Sequence, residues 1–453
     1  MNRKDIKAGI LHFGVGNFHR AHLEYYTDSL IRLGGSDEWG VCGAMILPHD
    51  ERLYNALKAQ DGRYTLTSFA PDGTIETGYV ESLVNVYWGV KEREKIIAQI
   101  ASPEIKIITL TITEGGYDIE TENARYDLAN PSEPLTAFGY IAEGLRRRKA
   151  AGLPVTILSC DNLQHNGRVA QKSFLTFFER QDPELAAWAK ENVTFPSCMV
   201  DRITPATRPE DIVRLNEMNG TDDEAPVYCE DFIQWVVEDK FINGRPAWER
   251  VGVQFTEDVT PYENIKLSLL NASHTLLSYP SALLGHVKVD AAMRDTRIIS
   301  LVRDFMDIDV TPLVSVPSDV DLEAYKARLV ERFANPAISD QVSRLCGDGL
   351  SKFTVYVVPN LSRMLVEGRD ITREAFLIAS YRKYLRASLL ESAFDIFEPC
   401  MTEKEKELIC SSEPTAFFRL KPFKDLGLCR YEDFMEKYLL FDSVSVAKGL
   451  EMQ

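Results

Sequence analysis

Residues 9–34 read GILHFGVGNFHRAHLEYYTDSLIRLG. Gly9 to Phe13 is a short apolar run, as a buried strand would be. Gly14 and Gly16 make a turn, and from about Arg20 the pattern is helical, with Ala21, Tyr25, Leu30 and Leu33 expected to face inward. Strand, glycine turn and helix in that order set a pyrophosphate on a helix N-terminus, where unbonded N–H groups and the helix dipole meet negative charge. The usual dinucleotide pattern has a third glycine; here its slot holds His19. Gly14 and Gly16 alone therefore fit a dinucleotide turn and an ordinary turn equally well.

Further strands and helices alternate from there. WGVCGAMIL (39–47) is a second strand, followed at once by His49, Asp50 and Glu51. Asp50 stands where an acid grips the ribose of a dinucleotide, and equally where it would cap the helix of 51–60. KIITLTIT (106–113) and VTILSC (155–160) are β-branched apolar runs of the kind buried on both faces of a parallel sheet. Helices are expected at 135–148, 168–180 and 183–191, and residues 195–209 read as a strand entering a proline-bounded loop. Asp161, Asn162, His165, Asn166 and Gly167 follow the 155–160 strand, at the end where open α/β sheets bind ligands. Asp161 and His165 lack third and fourth partners at metal-ligand spacing, so no metal is expected. After residue 260 strand-like runs fade and helical patterns dominate: 261–285, 290–307, 322–334, 361–367, 371–392, 403–411 and 431–440. The expected fold is α/β: an N-terminal doubly wound, Rossmann-type domain (1–260), then a mainly α-helical C-terminal domain (261–453). The active cleft is expected at the boundary, since ligand sites favour such places.

A helix begins at that boundary, PYENIKLSLLNASHTLLSY (261–279). At roughly 100° per residue, with Lys266 at zero, Glu263 falls near 60°, His274 near 80° and Asn271 near 140°. An amine, a carboxylate, an imidazole and a carboxamide thus share one side of one helix beside leucines, where each is costly to bury without a partner or a task. A desolvated lysine can act as a general base near neutral pH, and a carboxamide can donate to an oxygen that gains charge. Against this stands an ordinary reading: Glu263 and Lys266 as a surface ion pair, His274 as a satisfied core residue.

Composition bounds the partners. The 453 residues carry a net charge of −17, which argues against nucleic acid and anionic membrane. Hydrophobic content of 45% and charged content of 26% are those of a globular protein. The opening residues lack the apolar stretch of a signal peptide, and no run reaches membrane-spanning length. The eight cysteines have no paired spacing and read as free thiols, consistent with a cytoplasmic location. A monomer and a homodimer both remain open.

The blocks GVGNFHRAH (14–22), TITEGGY (111–117), SCDNLQHNG (159–167), MVDRITPAT (199–207), QWVVED (234–239), KLSLLNASH (266–274), RFANPAISDQVSRL (332–345) and DGLSK (348–352) occur in this order. Together they resemble the mannitol dehydrogenase family of zinc-independent, polyol-specific long-chain dehydrogenases, over nearly the whole chain. QHNG (164–167) and DRITP (201–205) look more like its mannitol 2-dehydrogenase branch than its fructuronate reductase branch.

The resemblance implies a role for each matched residue. Lys266 is the general base, Asn162 and Asn271 hold the developing oxyanion, His274 binds a substrate hydroxyl, and Glu263 relays the proton to solvent. Arg344, Lys352 and Asp201 hold the remaining hydroxyls of an open-chain polyol. Gly14, Gly16 and Phe18 line the dinucleotide, and Asp50 meets the adenosine ribose. The implied reaction is oxidation of a polyol to a ketose (mannitol to fructose in type) with NAD as cofactor. Asp50 would repel a 2′-phosphate, while Arg52 nearby would soften that and admit NADP. The alternatives are an aldonate dehydrogenase acting on a sugar acid, and a non-catalytic NAD-binding sensor.

Overall fold

The computed structural model describes residues 3–338, 340–399 and 401–453. It divides into two compact units, Met1–Thr260 and Pro261–Gln453. Twelve strands lie among the described residues: β1 (Ala8–Phe13), β2 (Gly40–Met45), β3 (Tyr64–Phe69), β4 (Ile75–Val80), β5 (Leu83–Trp88), β6 (Ile107–Leu110), β7 (Val155–Ser159), β8 (Val193–Thr194), β9 (Cys198–Asp201), β10 (Val227–Glu230), β11 (Gln234–Glu238) and β12 (Gln254–Thr256).

Six of them form one sheet in the order β5-β2-β1-β6-β7-β8, every pair parallel. This is the Rossmann-type double winding: the chain moves outward from β1 in one direction, then returns and moves outward from β6 in the other. Every residue of β2, β6 and β7 is buried, as expected of strands covered on both faces. On one side Ile10, Val41 and Leu158 pack with Leu23, Tyr26 and Leu30. On the other, Leu11, Phe13 and Ile108 pack with Ile96, Phe138 and Phe174. Register decides what lies at the ligand end. Phe13 pairs with both Ala44 and Leu110, and Leu110 pairs with Ser159. Gly14, Thr111 and Cys160 therefore emerge side by side.

Two small three-stranded sheets complete this unit, β10-β3-β4 and β12-β11-β9. The helix of the opening motif differs from its sequence reading. It is two helices, Asn17–Ala21 and Leu23–Arg32, broken at His22 (φ −118°, ψ −83°). The break resets the phase. Ala21 and Leu30 are buried as expected, but Tyr25 and Leu33 are 37% and 55% exposed, and Leu23, Tyr26 and Ile31 are the other apolar side chains buried.

The second unit is helical, around one apolar core that joins Leu269, Leu276, Leu277, Phe353, Leu377 and Phe417. Its first long helix is not uniform. An α-helix, Thr260–Ile265, passes into a π-helix, Lys266–Asn271, and back into an α-helix, Ala272–Leu283. Hydrogen bonds in a π turn close over five residues, so the uniform angular count from Lys266 does not hold across this stretch. The expected helix of 290–307 is likewise divided. Val289–Ala292 ends, and Asp295 caps Thr296–Asp304 by accepting from Arg297 N at 3.0 Å; a π turn, Phe305–Val310, follows. Leu322–Phe333, Thr372–Glu391 and Glu432–Ser443 form close to where periodicity places them. Among the described residues no helix is long and apolar enough to cross a membrane. The seven described cysteines are free; Cys400 lies outside the described residues.

Candidate functional site

The first unit supplies a turn at the ends of β1 and β6. Gly14 has φ +96°, and a Cβ added there would lie 2.0 Å from the Thr111 carbonyl oxygen. Only glycine fits such a position. Beneath it, the His12 ring lies 2.8 Å from Thr109 Oγ1 and 2.9 Å from Thr111 Oγ1, and the Thr111 hydroxyl donates to Gly14 O at 2.8 Å. Burial pushes His12 down to about 3, so it is neutral. His19, in the slot of the missing glycine, stacks on His12 with ring centroids 3.4 Å apart, and its Nε2 lies 3.4 Å from Glu24 Oε1. Burial raises Glu24 to about 8. The turn thus rests on an uncharged imidazole pair, with a carboxyl group that burial keeps protonated behind it.

Gly16 precedes the helix Asn17–Ala21, and Phe18 stacks on His22 at 4.9 Å. Asn17 donates to Pro205 O at 3.0 Å and Thr207 Oγ1 at 3.1 Å, which ties the turn to the 199–207 block. Asp201 ends β9 and is buried. Asp50 precedes the helix Glu51–Ala59 but makes no side-chain bond to its first turn; its carboxylate instead accepts from Leu47 N at 2.9 Å, closing the short Pro48–Asp50 turn, and its other oxygen lies 3.9 Å from the exposed His49 ring.

Beside this turn runs the loop after β7. Asp161 accepts from Ile112 N (3.1 Å), Thr113 N (2.8 Å) and the Tyr117 hydroxyl (2.6 Å). Its carboxylate therefore fastens the TITEGGY turn. No group of three or more His, Cys, Asp or Glu among the described residues could hold a metal ion. Asn166 donates to Asp161 O and Cys198 O, at 3.1 and 2.7 Å, and accepts from Cys198 N at 2.9 Å. A Cβ on Gly167 would lie 2.6 Å from the Pro196 and Ser197 backbone. Asn166 and Gly167 pin the loop to β9, and Asn162 is left exposed at its tip. Sequence reading assigned no task to Asn17 or Tyr117, and placed Asn166 at the ligand end of the sheet without seeing that it is a fastener. Only the Asn-Gly pair at the start of a helix hinted at one of them.

In the second unit Glu263 and Lys266 are buried, at 4% and 8% exposure. Lys266 opens the π turn and Asn271 closes it. Asn271 is half-buried, and its Oδ1 is buried without a hydrogen-bond partner among the described residues. His274 packs its ring 4.3 Å from Phe333, and burial lowers it to about 3, partly offset by the Asp340 charge. Arg344 donates to both Asp340 oxygens, one at 2.7 Å. Lys352 donates to Leu345 O at 2.8 Å and Arg344 O at 3.3 Å; burial, then Arg344, lower its pKa. A cavity of about 830 Å³ lies against these two cations, with Asp348, Tyr384, Phe394 and Asp395 among its walls.

Comparison with known proteins accounts for both halves. Residues 8–250 match the model of the mannitol dehydrogenase Rossmann domain, and residues 258–430 that of the mannitol dehydrogenase C-terminal domain. The chain is 40% identical to a polyol:NADP oxidoreductase of Gluconobacter oxydans, over 98% of this chain and 94% of that one. A Pseudomonas fluorescens mannitol 2-dehydrogenase, solved as a ternary complex with NAD and D-mannitol, superposes with a TM-score of 0.88 at 38% identity. That match covers 100% of this chain and 95% of the other. A D-sorbitol dehydrogenase solved in substrate-free form gives a TM-score of 0.91 at 37% identity, over 99% and 95% of the two chains.

Proposed function

This chain belongs to the mannitol dehydrogenase family, and we propose on that premise that it oxidises a secondary hydroxyl of an open-chain polyol to a ketone with NAD. The observation that carries the reading is the π turn of the second unit. It sets a buried amine, Lys266, and a carboxamide with an unsatisfied buried oxygen, Asn271, at its two ends. The orphaned Asn271 Oδ1 calls for a donor such as a polyol hydroxyl, its amide N–H is the group free to donate to an oxygen, and a π turn inside a helix is frequent at functional sites.

The first unit fits a dinucleotide. Gly14 leaves no room for a side chain where a pyrophosphate would need backbone, and Gly16 and Phe18 follow in the same turn. Bound NAD supplies the acceptor for the hydride. The chain's own groups do the rest. Lys266 Nζ takes the hydroxyl proton as the C–H pair of electrons leaves the same carbon. Negative charge grows on the oxygen, and the Asn162 and Asn271 carboxamides donate to it. His274, uncharged at working pH, holds a neighbouring hydroxyl without adding a charge next to the lysine. Glu263, one turn before Lys266, passes the proton on to solvent. Arg344, Lys352 and Asp201 hold the remaining hydroxyls.

The substrate is read as a polyol rather than a sugar acid for a local reason. Both faces of the Arg344 fork in reach of Asp340 are already engaged, and Lys352 donates to two carbonyls. Asp340 already offsets the Arg344 charge from one side of the fork, so the donors that remain suit an uncharged hydroxyl better than a second carboxylate. Asp50 favours NAD, and Arg52, exposed two residues on, makes NADP the second cofactor to assay.

The test is initial rate, read from the absorbance of reduced nicotinamide, with NAD⁺ and NADP⁺. Mannitol, sorbitol, arabinitol, mannonate and altronate are the substrates, each with and without EDTA. Polyol turnover that survives EDTA is the expected result. Turnover on the aldonates alone would overturn the substrate reading, and turnover abolished by EDTA would overturn Lys266 as the base.

A further inference from the structure

The cavity against Arg344 and Lys352 has one wall with no part in the reaction described so far. It is the segment 393–398, which follows the long helix Thr372–Glu391. Phe394 and Asp395 line the cavity from this segment, and Phe394 stacks on Tyr384 at 4.8 Å. The segment is held by its end. Glu398 accepts from Gly349 N at 2.8 Å through one carboxylate oxygen and from Leu350 N at 3.2 Å through the other. The Tyr381 hydroxyl donates to it at 2.8 Å. The adjacent Phe397 carbonyl accepts from Asp348 N at 2.6 Å.

These bonds close on the start of the helix that carries Lys352. Gly349–Lys352 is a single turn continuing into a π turn, Phe353–Val357, and then Val358–Glu367. Asp348 enters it at φ +54°, a left-handed conformation that Asp adopts more readily than most non-glycine residues. The first N–H groups of a helix have no partner within it; here Glu398 satisfies two. Lys352 lies one turn on, its N–H bonded to Asp348 O. Burial raises the Glu398 pKa, while Tyr381 and the two N–H groups oppose that rise.

We propose that Glu398 is a positioning residue for the polyol: it fixes the turn that aims Lys352 and anchors the 393–398 wall, and so sets the far end of the substrate cavity. The proposal deepens the reading of Lys352 as a binder of far hydroxyls and rests on it. Its consequence is chain-length selectivity. A polyol long enough to be held at Lys352 feels a change in that wall, whereas one too short to reach Lys352 does not.

The test uses Glu398→Gln, which keeps the size but loses an acceptor, with a hexitol and the shortest polyol the enzyme turns over. Losing charged bonds to two N–H groups should raise KM for the hexitol about tenfold. The kcat should stay within about twofold, and KM for the dinucleotide and for the short polyol should not move. In a Lys352→Ala background Glu398→Gln should add nothing, as coupled residues do not add. Tyr381→Phe, which removes one bond and no charge, should shift the hexitol KM in the same direction by about two- to threefold, and keeps the test alive if Glu398→Gln does not fold. Equal rises on both polyols would mean general loosening and overturn the proposal. If Lys352→Ala raises the hexitol KM and neither variant does, the proposal falls while the Lys352 reading stands. If Lys352→Ala is itself silent, both fall.

Discussion

Gly14→Ala is a sharp local test of the glycine turn at the ends of β1 and β6, where the dinucleotide is proposed to bind. Alanine at φ +96° costs about 1–2 kcal/mol for the left-handed backbone alone. Its Cβ would also stand 2.0 Å from the Thr111 carbonyl oxygen, an overlap relieved only by moving backbone at the end of β6. Overpacking of that kind costs about 1–3 kcal/mol. Together the two effects should cost about 2–5 kcal/mol. The displaced carbonyl belongs to the residue whose hydroxyl joins His12 to Gly14, so dinucleotide affinity should fall more than tenfold as well. Gly16→Ala is the control. The nearest atom to its added Cβ is Gly14 O at 3.8 Å, and its φ is −117°, so stability should change by less than about 1 kcal/mol. Urea unfolding followed by tryptophan fluorescence measures the first quantity, and titration with NAD⁺ the second. If Gly14→Ala unfolds within about 0.5 kcal/mol of the parent and binds NAD⁺ equally well, the geometry assigned to this turn is wrong.

Three further outcomes follow from the same structure. Glu24 has its pKa raised to about 8 in the folded chain. A carboxyl raised on folding loses stability as pH rises from the unfolded value toward the folded one. Glu24→Gln should therefore gain stability relative to the parent between about pH 5 and 8, measured by urea midpoint; a flat difference contradicts this. His274 is held neutral, so His274→Gln should raise the polyol KM about tenfold, the loss of one substrate hydrogen bond, and leave the shape of the pH–rate profile unchanged. The disappearance of a step between pH 5 and 8 would show that His274 titrates. Asn166→Ala removes two bonds to Cys198 that pin the Asn162 loop to β9, and a third to Asp161 O within the loop. It should lower kcat/KM with little effect on dinucleotide binding, and equal losses in both would place the loop's role elsewhere.

Much of the sheet was legible because its strands are short β-branched runs without polar interruption. IITL and VTILS can be little else than strands buried on both faces. The third outward strand, LVNVYW, was not, since Asn85 breaks the run and its burial is mixed. The hairpin of β3 and β4 was missed because its second strand, IETGYV, is exposed at all but its last residue and carries no buried alternation. The inward faces of the first helix went wrong at His22, a break that no glycine or proline announces. The π turn was equally hidden: KLSLLN satisfies an ordinary helix, and only the packed structure shows the widened turn. The sequence could pick out Asp161 as polar and well placed, but its three donors, which show it to be a fastener, come from residues 44 to 49 positions away. Glu398 was silent for the same reason: its partners Gly349 and Leu350 lie 49 and 48 residues off.

The central claim is that Lys266 takes the substrate proton. Lys266→Ala, assayed with NAD⁺ and the best polyol and with small primary amines added back, tests it most directly. The account predicts a fall in kcat of about 10²–10⁴-fold, with NAD⁺ affinity retained and partial recovery that follows the basicity of the added amine. A kcat within a few fold of the parent, or a loss that amines do not touch while NAD⁺ binding also disappears, would contradict it.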